Sequence, residues 1–165
     1  QRLNTMIEYI KGDILKSGCK LIVHGCNAQG VMGSGLAKQI KEKYPKAYED
    51  YVEMCREMPE ESLLGSVNFS EQDDGTVIAN AITQLNFGKD GRRYVSYDAI
   101  DECFEDIALY CEVNDIMEIA IPRIGAGLGG GNWEIIESII KQNFLGTSKY
   151  SFGTASNVNI KVYEL

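Results

Sequence analysis

Histidine occurs once in this chain of 165 residues, and tryptophan once. With one histidine and no Cys-x-x-Cys spacing among Cys19, Cys26, Cys55, Cys103 and Cys111, the sequence lacks the ligand sets of a zinc site. No metal and no cofactor are expected. The odd cysteine number also argues against a disulfide framework, so the five thiols read as reduced packing residues in a cytoplasm-like compartment. No apolar run approaches the roughly eighteen residues of a membrane span, and no signal-peptide pattern opens the chain. A cytoplasmic protein without a membrane partner is expected. Basic residues are scarce as well: 16 Lys and Arg stand against 24 Asp and Glu, a net charge of −8. Nucleic acids are bound by basic faces, so this balance argues against DNA or RNA as a partner. It leaves room for one small phosphorylated ligand held by backbone amides. The pattern Gly-x-x-x-x-Gly-Lys-Ser/Thr is absent, which excludes a P-loop nucleotide site.

Glycine is what the chain has in quantity, and it is concentrated. Residues 125–131 hold five glycines in seven positions, within Pro122-Arg123-Ile124-Gly125-Ala126-Gly127-Leu128-Gly129-Gly130-Gly131-Asn132-Trp133. An apolar run, 117–121, precedes this stretch with strand character. After it, apolar residues at 133, 135, 136, 139, 140 and 144 keep helical spacing, with Asn132 placed as the N-cap. A strand, a glycine loop and a helix in that order can hold phosphate, through backbone N–H groups and the positive end of a helix dipole. Five glycines exceed what a tight turn needs. Gly125-x-Gly127-x-x-Gly130 formally fits the dinucleotide fingerprint, but it sits in the last such unit and no acidic residue follows at the required distance.

A second unit of this kind lies near the start. Residues 20–24 form a nearly continuous apolar run, as in a strand buried on both faces. It leads into the glycine-rich stretch 25–35, then into helical spacing over 36–44. If the two strands are neighbours, both loops open at one sheet edge, where ligands sit in open α/β sheets.

The remaining elements follow from pattern. Residues 6–10 read as a strand, and Asp13 as a cap or turn residue in preference to a ligand contact. Pro45 starts a further helix, and 57–61 reads as an acidic loop. Residues 66–69 and 76–82 flank Asp73-Asp74-Gly75 as a hairpin. Residues 83–93 form a polar loop whose Asn86-Phe87-Gly88 either lies over a ligand or crosses the surface. Residues 97–113 form a helix with the acids 98, 101, 102, 105 and 106 on a solvated face; 146–156 read as a loop and 158–165 as a closing strand. No linker, repeat or internal boundary appears, so residues 1–165 are expected to form a single domain. Six strands among four helices predict an α/β fold, a three-layer α/β/α sandwich around a mixed, mostly parallel six-stranded sheet.

These motifs carry a resemblance. Lys11-Gly12-Asp13-Ile14, Val23-His24-Gly25-Cys26-Asn27, Gly30-Val31-Met32-Gly33-Ser34-Gly35-Leu36-Ala37, Tyr44-Pro45 and Pro122-Arg123-Ile124-Gly125-Ala126-Gly127-Leu128 together resemble the macrodomain family, in order and across nearly the whole chain. The nearest branch holds yeast ADP-ribose-1''-phosphate phosphatases and the terminal ADP-ribose glycohydrolase of animals. A monomer is expected, and the resemblance implies an ADP-ribose pocket. In it, Asp13 would accept from the adenine amino group and the Ile14 amide would meet the ring. Tyr163, or an aromatic near it, would stack on adenine. Gly33, Ser34 and Gly35, with Ile124, Gly125, Ala126, Gly127, Leu128 and Gly129, would wrap the diphosphate, and Asn27 would face the distal ribose.

Two departures bear on chemistry. The animal glycohydrolase has a catalytic lysine where this chain has Gln84 and Leu85, and a catalytic aspartate where it has Gly129. Removal of the 1''-phosphate from ADP-ribose-1''-phosphate is therefore the implied reaction, with His24 and Asn27 as the catalytic candidates. The alternatives are a module that reads ADP-ribose without chemistry, or an ADP-ribosyl hydrolase using other residues. His24 can serve as general acid or base, or be a hydrogen-bonded core histidine. Position alone favours the core role, and the resemblance brings the two level.

Overall fold

The computed structural model describes residues 6–145 and 158–165. The chain order is β1 (Met6–Lys11), a 3-10 turn (Ile14–Lys16), β2 (Leu21–Asn27), α1 (Gly35–Lys43), α2 (Pro45–Glu57), α3 (Glu60–Leu63), β3 (Val67–Glu71), β4 (Val77–Gln84), α4 (Tyr97–Val113), β5 (Glu118–Ile121), α5 (Trp133–Asn143) and β6 (Asn159–Glu164). Six strands join in one sheet, ordered β1-β6-β5-β2-β4-β3. All pairings are parallel except β3 with β4, the expected hairpin. The sheet is thus the mixed, mostly parallel one that the strand count implied. The loop expected over 146–156 lies outside the described residues.

Strand alternation builds the three layers. Leu21 and Val23 of β2, Val77, Ala79 and Ala81 of β4, and Ile119 and Ile121 of β5 share one core with Ile100, Phe104 and Ile107 of α4 and Ile136 and Ile140 of α5. The intervening residues face the other way. Ile22, Ile78 and Ala120 meet Ile40 of α1 and Ala47 of α2, while Cys26 and Ile82 meet Tyr51 of α2 and Leu63 of α3. Period-2 side-chain alternation in strands covered on both faces accounts for runs that read as apolar throughout.

The structure moves several sequence-based boundaries: β4 runs through Gln84, into the loop expected over 83–93, and two further changes are larger. β2 does not stop at His24. Gly25, Cys26 and Asn27 continue the ladder opposite Ala81, Ile82 and Gln84, because a neighbouring strand supplies partners that a glycine-rich segment does not announce. The expected acidic loop at 57–61 contains the start of a fifth helix, α3. Pro59 precedes it, Glu60 and Glu61 occupy its first turn, and buried Leu63 anchors it; acids at a helix N-terminus complement its dipole.

The strand order sets the place of the site. After β2 the chain runs outward through α1 and α2 to β3, and after β5 it runs the opposite way through α5 to β6. β2 and β5 are neighbours. The loops leaving their C-terminal ends therefore diverge and leave a crevice between them, the topological switch point of an open α/β sheet.

Candidate functional site

A cleft of about 420 Å³ occupies that crevice. Its walls include His24, Asn27, Gly33, Ser34 and Gly35 from the β2 side, and Ile124, Gly125, Gly127, Leu128 and Gly129 from the β5 side. The structure thus brings the two glycine loops and both catalytic candidates to one cleft. Ala126 belongs to the same loop without lining it.

The first loop ends at an open helix terminus. Ser34 is the N-cap of α1, and its side chain makes no capping hydrogen bond. Nothing from the side chain occupies the first N–H groups of α1, which lie at the cleft and can meet an anion. α5 differs: Asn132 Oδ1 accepts from Glu134 N at 2.9 Å and Ile135 N at 3.3 Å, so its terminus is already capped, as its sequence implied.

Close approach of backbone shapes the second loop. Gly125 has φ +77°, and a Cβ there would lie 2.8 Å from Val95 Cγ2. A Cβ on Gly129 would lie 2.7 Å from the Gly125 carbonyl oxygen. No side chain fits at position 129 with the loop on this backbone path. The Gly129 carbonyl in turn accepts from Tyr94 N at 2.7 Å and Val95 N at 3.0 Å.

Asn27 is engaged in holding its own loop. Its Oδ1 accepts from Gln29 N at 2.9 Å and Val31 N at 3.4 Å, and its Nδ2 donates to Val31 O at 2.9 Å. Tyr51 Oη lies 2.6 Å from the Asn27 carbonyl and 2.9 Å from Oδ1. One amide N–H is left to turn towards a ligand. Asn27 thus builds the first loop before it contacts anything in the cleft.

His24 sits opposite Asn80 in the parallel pairing of β2 and β4, 2% exposed. Its Nε2 lies 2.6 Å from Asn80 Oδ1. The Asn80 amide nitrogen donates to Ala47 O at 3.1 Å and Asn68 Oδ1 at 3.0 Å. That fixes the amide oxygen towards the ring, so Nε2 carries the hydrogen. Burial lowers the imidazole pKa from 6.5 to about 4, against the Asn80 hydrogen bond, which raises it. The ring is neutral at pH 7, with its one hydrogen committed to Asn80. A proton-shuttling role for His24 meets that obstacle, and the geometry is that of the core alternative. Cys26 lies beside it, Sγ 3.5 Å from Nε2. Burial raises its thiol pKa well above the ordinary value, so it is no thiolate nucleophile.

Asp13, Ile14 and Tyr163 stand at the far end of the same sheet edge, outside the cleft walls. Asp13 caps the 3-10 turn, its Oδ1 accepting from Leu15 N at 2.9 Å. Ile14 is buried, and Tyr163 packs against the cluster that contains it.

Thr83, Lys89 and Arg123 also line the cleft, with no role assigned from sequence, and so does Phe87, from the stretch with two readings. Thr83 is the extra residue where the register slips, since Cys26 pairs with Ile82 and Asn27 with Gln84. A bulge beside a site re-aims a side chain. Phe87 is 54% exposed and lies on the cleft wall, so of Asn86-Phe87-Gly88 it is the residue within reach of a ligand there. No Asp or Glu lines the cleft, and its charged walls are Lys89 and Arg123. Among the described residues no cluster of three His, Cys, Asp or Glu could hold a metal ion.

A family model described as Macro domain matches residues 23–140. The ADP-ribose 1''-phosphate phosphatase of Candida glabrata is 30% identical, over 96% of this chain and 98% of its own length. The DNA ADP-ribosyl glycohydrolase of Mycobacterium tuberculosis is 31% identical, over 84% of this chain and 39% of its own length. A solved structure of a protein from Bacteroides thetaiotaomicron is 33% identical, with a TM-score of 0.80 over 98% of this chain and 99% of its own.

Proposed function

We infer, because this chain belongs to the macrodomain family, that it binds ADP-ribose and hydrolyses the phosphate monoester of ADP-ribose-1''-phosphate to ADP-ribose and phosphate. The observation that carries this reading is the charge of the cleft. In a protein of net charge −8, the walls hold no carboxylate and two cations, and an uncapped helix terminus faces in. Such a cleft favours a ligand with several negative oxygens. The resemblance of the chain to yeast phosphatases over almost its full length supports the substrate.

The chemistry asks little acid–base work of the protein. Water oxygen bonds to phosphorus, the bond from phosphorus to the C1'' oxygen breaks, and that oxygen leaves as a hydroxyl with a proton that began on the water. In phosphoryl transfer most catalysis is positioning and electrostatic stabilisation of the phosphoryl oxygens. Backbone N–H groups of the two glycine loops and the α1 terminus supply it here. Asn27 shapes the first loop and offers its remaining N–H to the distal ribose. His24 stays neutral and ties β2 to β4 beneath the site. Asp13, Ile14 and Tyr163 take the adenine end. Five unpaired thiols, four of them buried, suit a reducing, cytoplasm-like compartment.

A second reading has its own support. The M. tuberculosis relative is a DNA ADP-ribosyl glycohydrolase, which would place ADP-ribosylated DNA in the cleft. The charge of −8 weighs against it, as do Gln84 and Gly129 where the animal glycohydrolase has its lysine and aspartate. The test is calorimetric titration with ADP-ribose, followed by assays of phosphate release from ADP-ribose-1''-phosphate and of ADP-ribose release from modified DNA. Micromolar binding with phosphate release is expected. Binding without phosphate release would overturn the phosphatase reading, and absence of binding would overturn the pocket assignment as well.

A further inference from the structure

The loop between β4 and α4 is fastened at both feet. Gln84 Nε2 donates to Asn86 O at 2.7 Å, and Gln84 bridges to Val95. Tyr94 N and Val95 N both donate to Gly129 O, so the loop is tied to the second glycine loop. Its outer side is locked too. Arg92 Nε pairs with Asp90 Oδ2 at 2.8 Å, and Tyr94 Oη donates to Asp90 Oδ1 at 2.9 Å. Gly88 lies flat against Tyr94, where a Cβ would stand 2.3 Å from the phenol oxygen. Asp90 is the acid nearest Lys89 in sequence, and this lock engages it with Arg92 and Tyr94. The alternate residues Phe87 and Lys89 are left on the cleft wall.

The two cations of the cleft are not equivalent. Arg123 Nη2 lies 3.3 Å from Glu164 Oε2, and the guanidinium stands over Tyr9 and Trp133 at 5.2 and 5.8 Å. Its charge is shared before a ligand arrives. Lys89 is exposed and makes no ion pair or hydrogen bond among the described residues. Arg123 follows β5 and Lys89 follows β4, on opposite sides of β2. With strands about 4.8 Å apart, the cleft spans roughly 10 Å between the strands that carry them. The uncapped α1 terminus and the second glycine loop can hold an anionic centre in the middle. A free cation at the β4 end implies a second.

We propose that Lys89, held over the cleft by the Asp90–Arg92–Tyr94 lock, contacts the terminal phosphate of ADP-ribose-1''-phosphate and so distinguishes it from ADP-ribose. This rests on the reading of the cleft as an ADP-ribose site. It orients the ligand with its phosphomonoester towards β4 and Phe87, and its adenine towards β1 and β6. An ammonium group meets phosphate as a point charge, so arginine can substitute and a neutral side chain cannot.

The experiment compares parent protein, Lys89→Ala, Lys89→Arg and Lys89→Glu. It measures the KM for ADP-ribose-1''-phosphate from initial rates and the Kd for ADP-ribose by calorimetry. If the parent releases no phosphate, the Kd of each ligand is measured instead, which keeps the discrimination test independent of turnover. Expected for Lys89→Ala is a roughly tenfold weakening for the phosphorylated ligand with ADP-ribose affinity changed less than twofold. Lys89→Glu should be worse and Lys89→Arg close to parent. Equal effects on both ligands, or none on either, overturn the proposal while leaving the pocket assignment intact. A parent that binds neither ligand overturns both.

Discussion

His24 and Asn80 face each other across the β2–β4 ladder, imidazole Nε2 to amide oxygen at 2.6 Å. The pair fixes the tautomer of the only histidine. Because Asn80 is itself oriented by Ala47 and Asn68, it can only accept from the ring. Burial lowers the imidazole pKa to about 4, against that hydrogen bond, which raises it.

The consequence is measurable without an activity assay. With a single histidine, the imidazole resonances can be followed by NMR against pH without assignment. The neutral ring protonated on Nε2 is expected to persist through pH 5. The unfolded chain takes up the His24 proton near pH 6.5 and the folded chain near pH 4, so unfolding binds a proton between those values. The contribution to stability is therefore present in full above pH 6.5 and is lost as pH falls towards 4. Its size is about 3 kcal/mol from the 2.5-unit separation. An imidazolium already formed at pH 6 would show that the ring is wetter than its burial implies, and would return it to candidacy as a proton carrier.

Tyr51 supports the first glycine loop from below. Its hydroxyl meets both the Asn27 carbonyl and side-chain oxygen and receives the Val31 N–H at 3.2 Å. Tyr51→Phe leaves these buried groups short of a partner, at a cost of about 1–3 kcal/mol. Chemical denaturation should show that loss, and ADP-ribose affinity should fall with it because the loop positions Ser34 and Gly35. Lost stability with unchanged affinity would mean the loop keeps its shape without the phenol.

Thr83 invites the opposite experiment. Its hydroxyl is buried with no partner among the described residues, because the bulge turns it beneath Gly25 and Ile124, whose nearest atom would stand 3.1 Å from a Gly25 Cβ. Thr83→Val keeps the branched shape and removes the unmatched group. It should raise stability by about 1 kcal/mol, a gain of about 2–4 °C in Tm for a chain of this size. A lower Tm would point to a water bound at that hydroxyl in solution.

The framework of the fold was legible because its signals are local. Apolar spacing in 97–113 and 133–144, the runs at 20–24 and 117–121, and the two glycine clusters each report on themselves. What escaped depends on partners distant in sequence. β2 continues through Asn27 because β4 offers its edge, and the tautomer of His24 is set by an asparagine 56 residues away. Thr83 becomes a bulge residue only in the register of two strands. Lys89 and Phe87 sat in a polar stretch with no apolar period to orient them. The alternation of Asp90, Arg92 and Tyr94 on the other side was the available clue, and it acquires meaning only once those three side chains are seen to bond.

Position 129 tests whether the second loop can accept a side chain, the aspartate implied by the resemblance to the animal glycohydrolase included. A Cβ there would stand 2.7 Å from the Gly125 carbonyl and 3.2 Å from Gln84 Oε1, and the Gly125 carbonyl already accepts from Gly131 N at 2.8 Å. Gly129→Ala and Gly129→Asp must therefore open the second loop, breaking its turn and the Tyr94 and Val95 bonds to residue 129. Each is expected to lose more than tenfold in ADP-ribose affinity, which corresponds to about 1.4 kcal/mol. The aspartate should do worse by adding a negative charge to a cleft without any. The double variant Gln84→Lys with Gly129→Asp should gain no glycohydrolase activity, because the backbone path rather than the side-chain inventory forbids the arrangement. Retained affinity in Gly129→Ala would show that the loop has slack, and the absence of the aspartate would then be a matter of sequence alone.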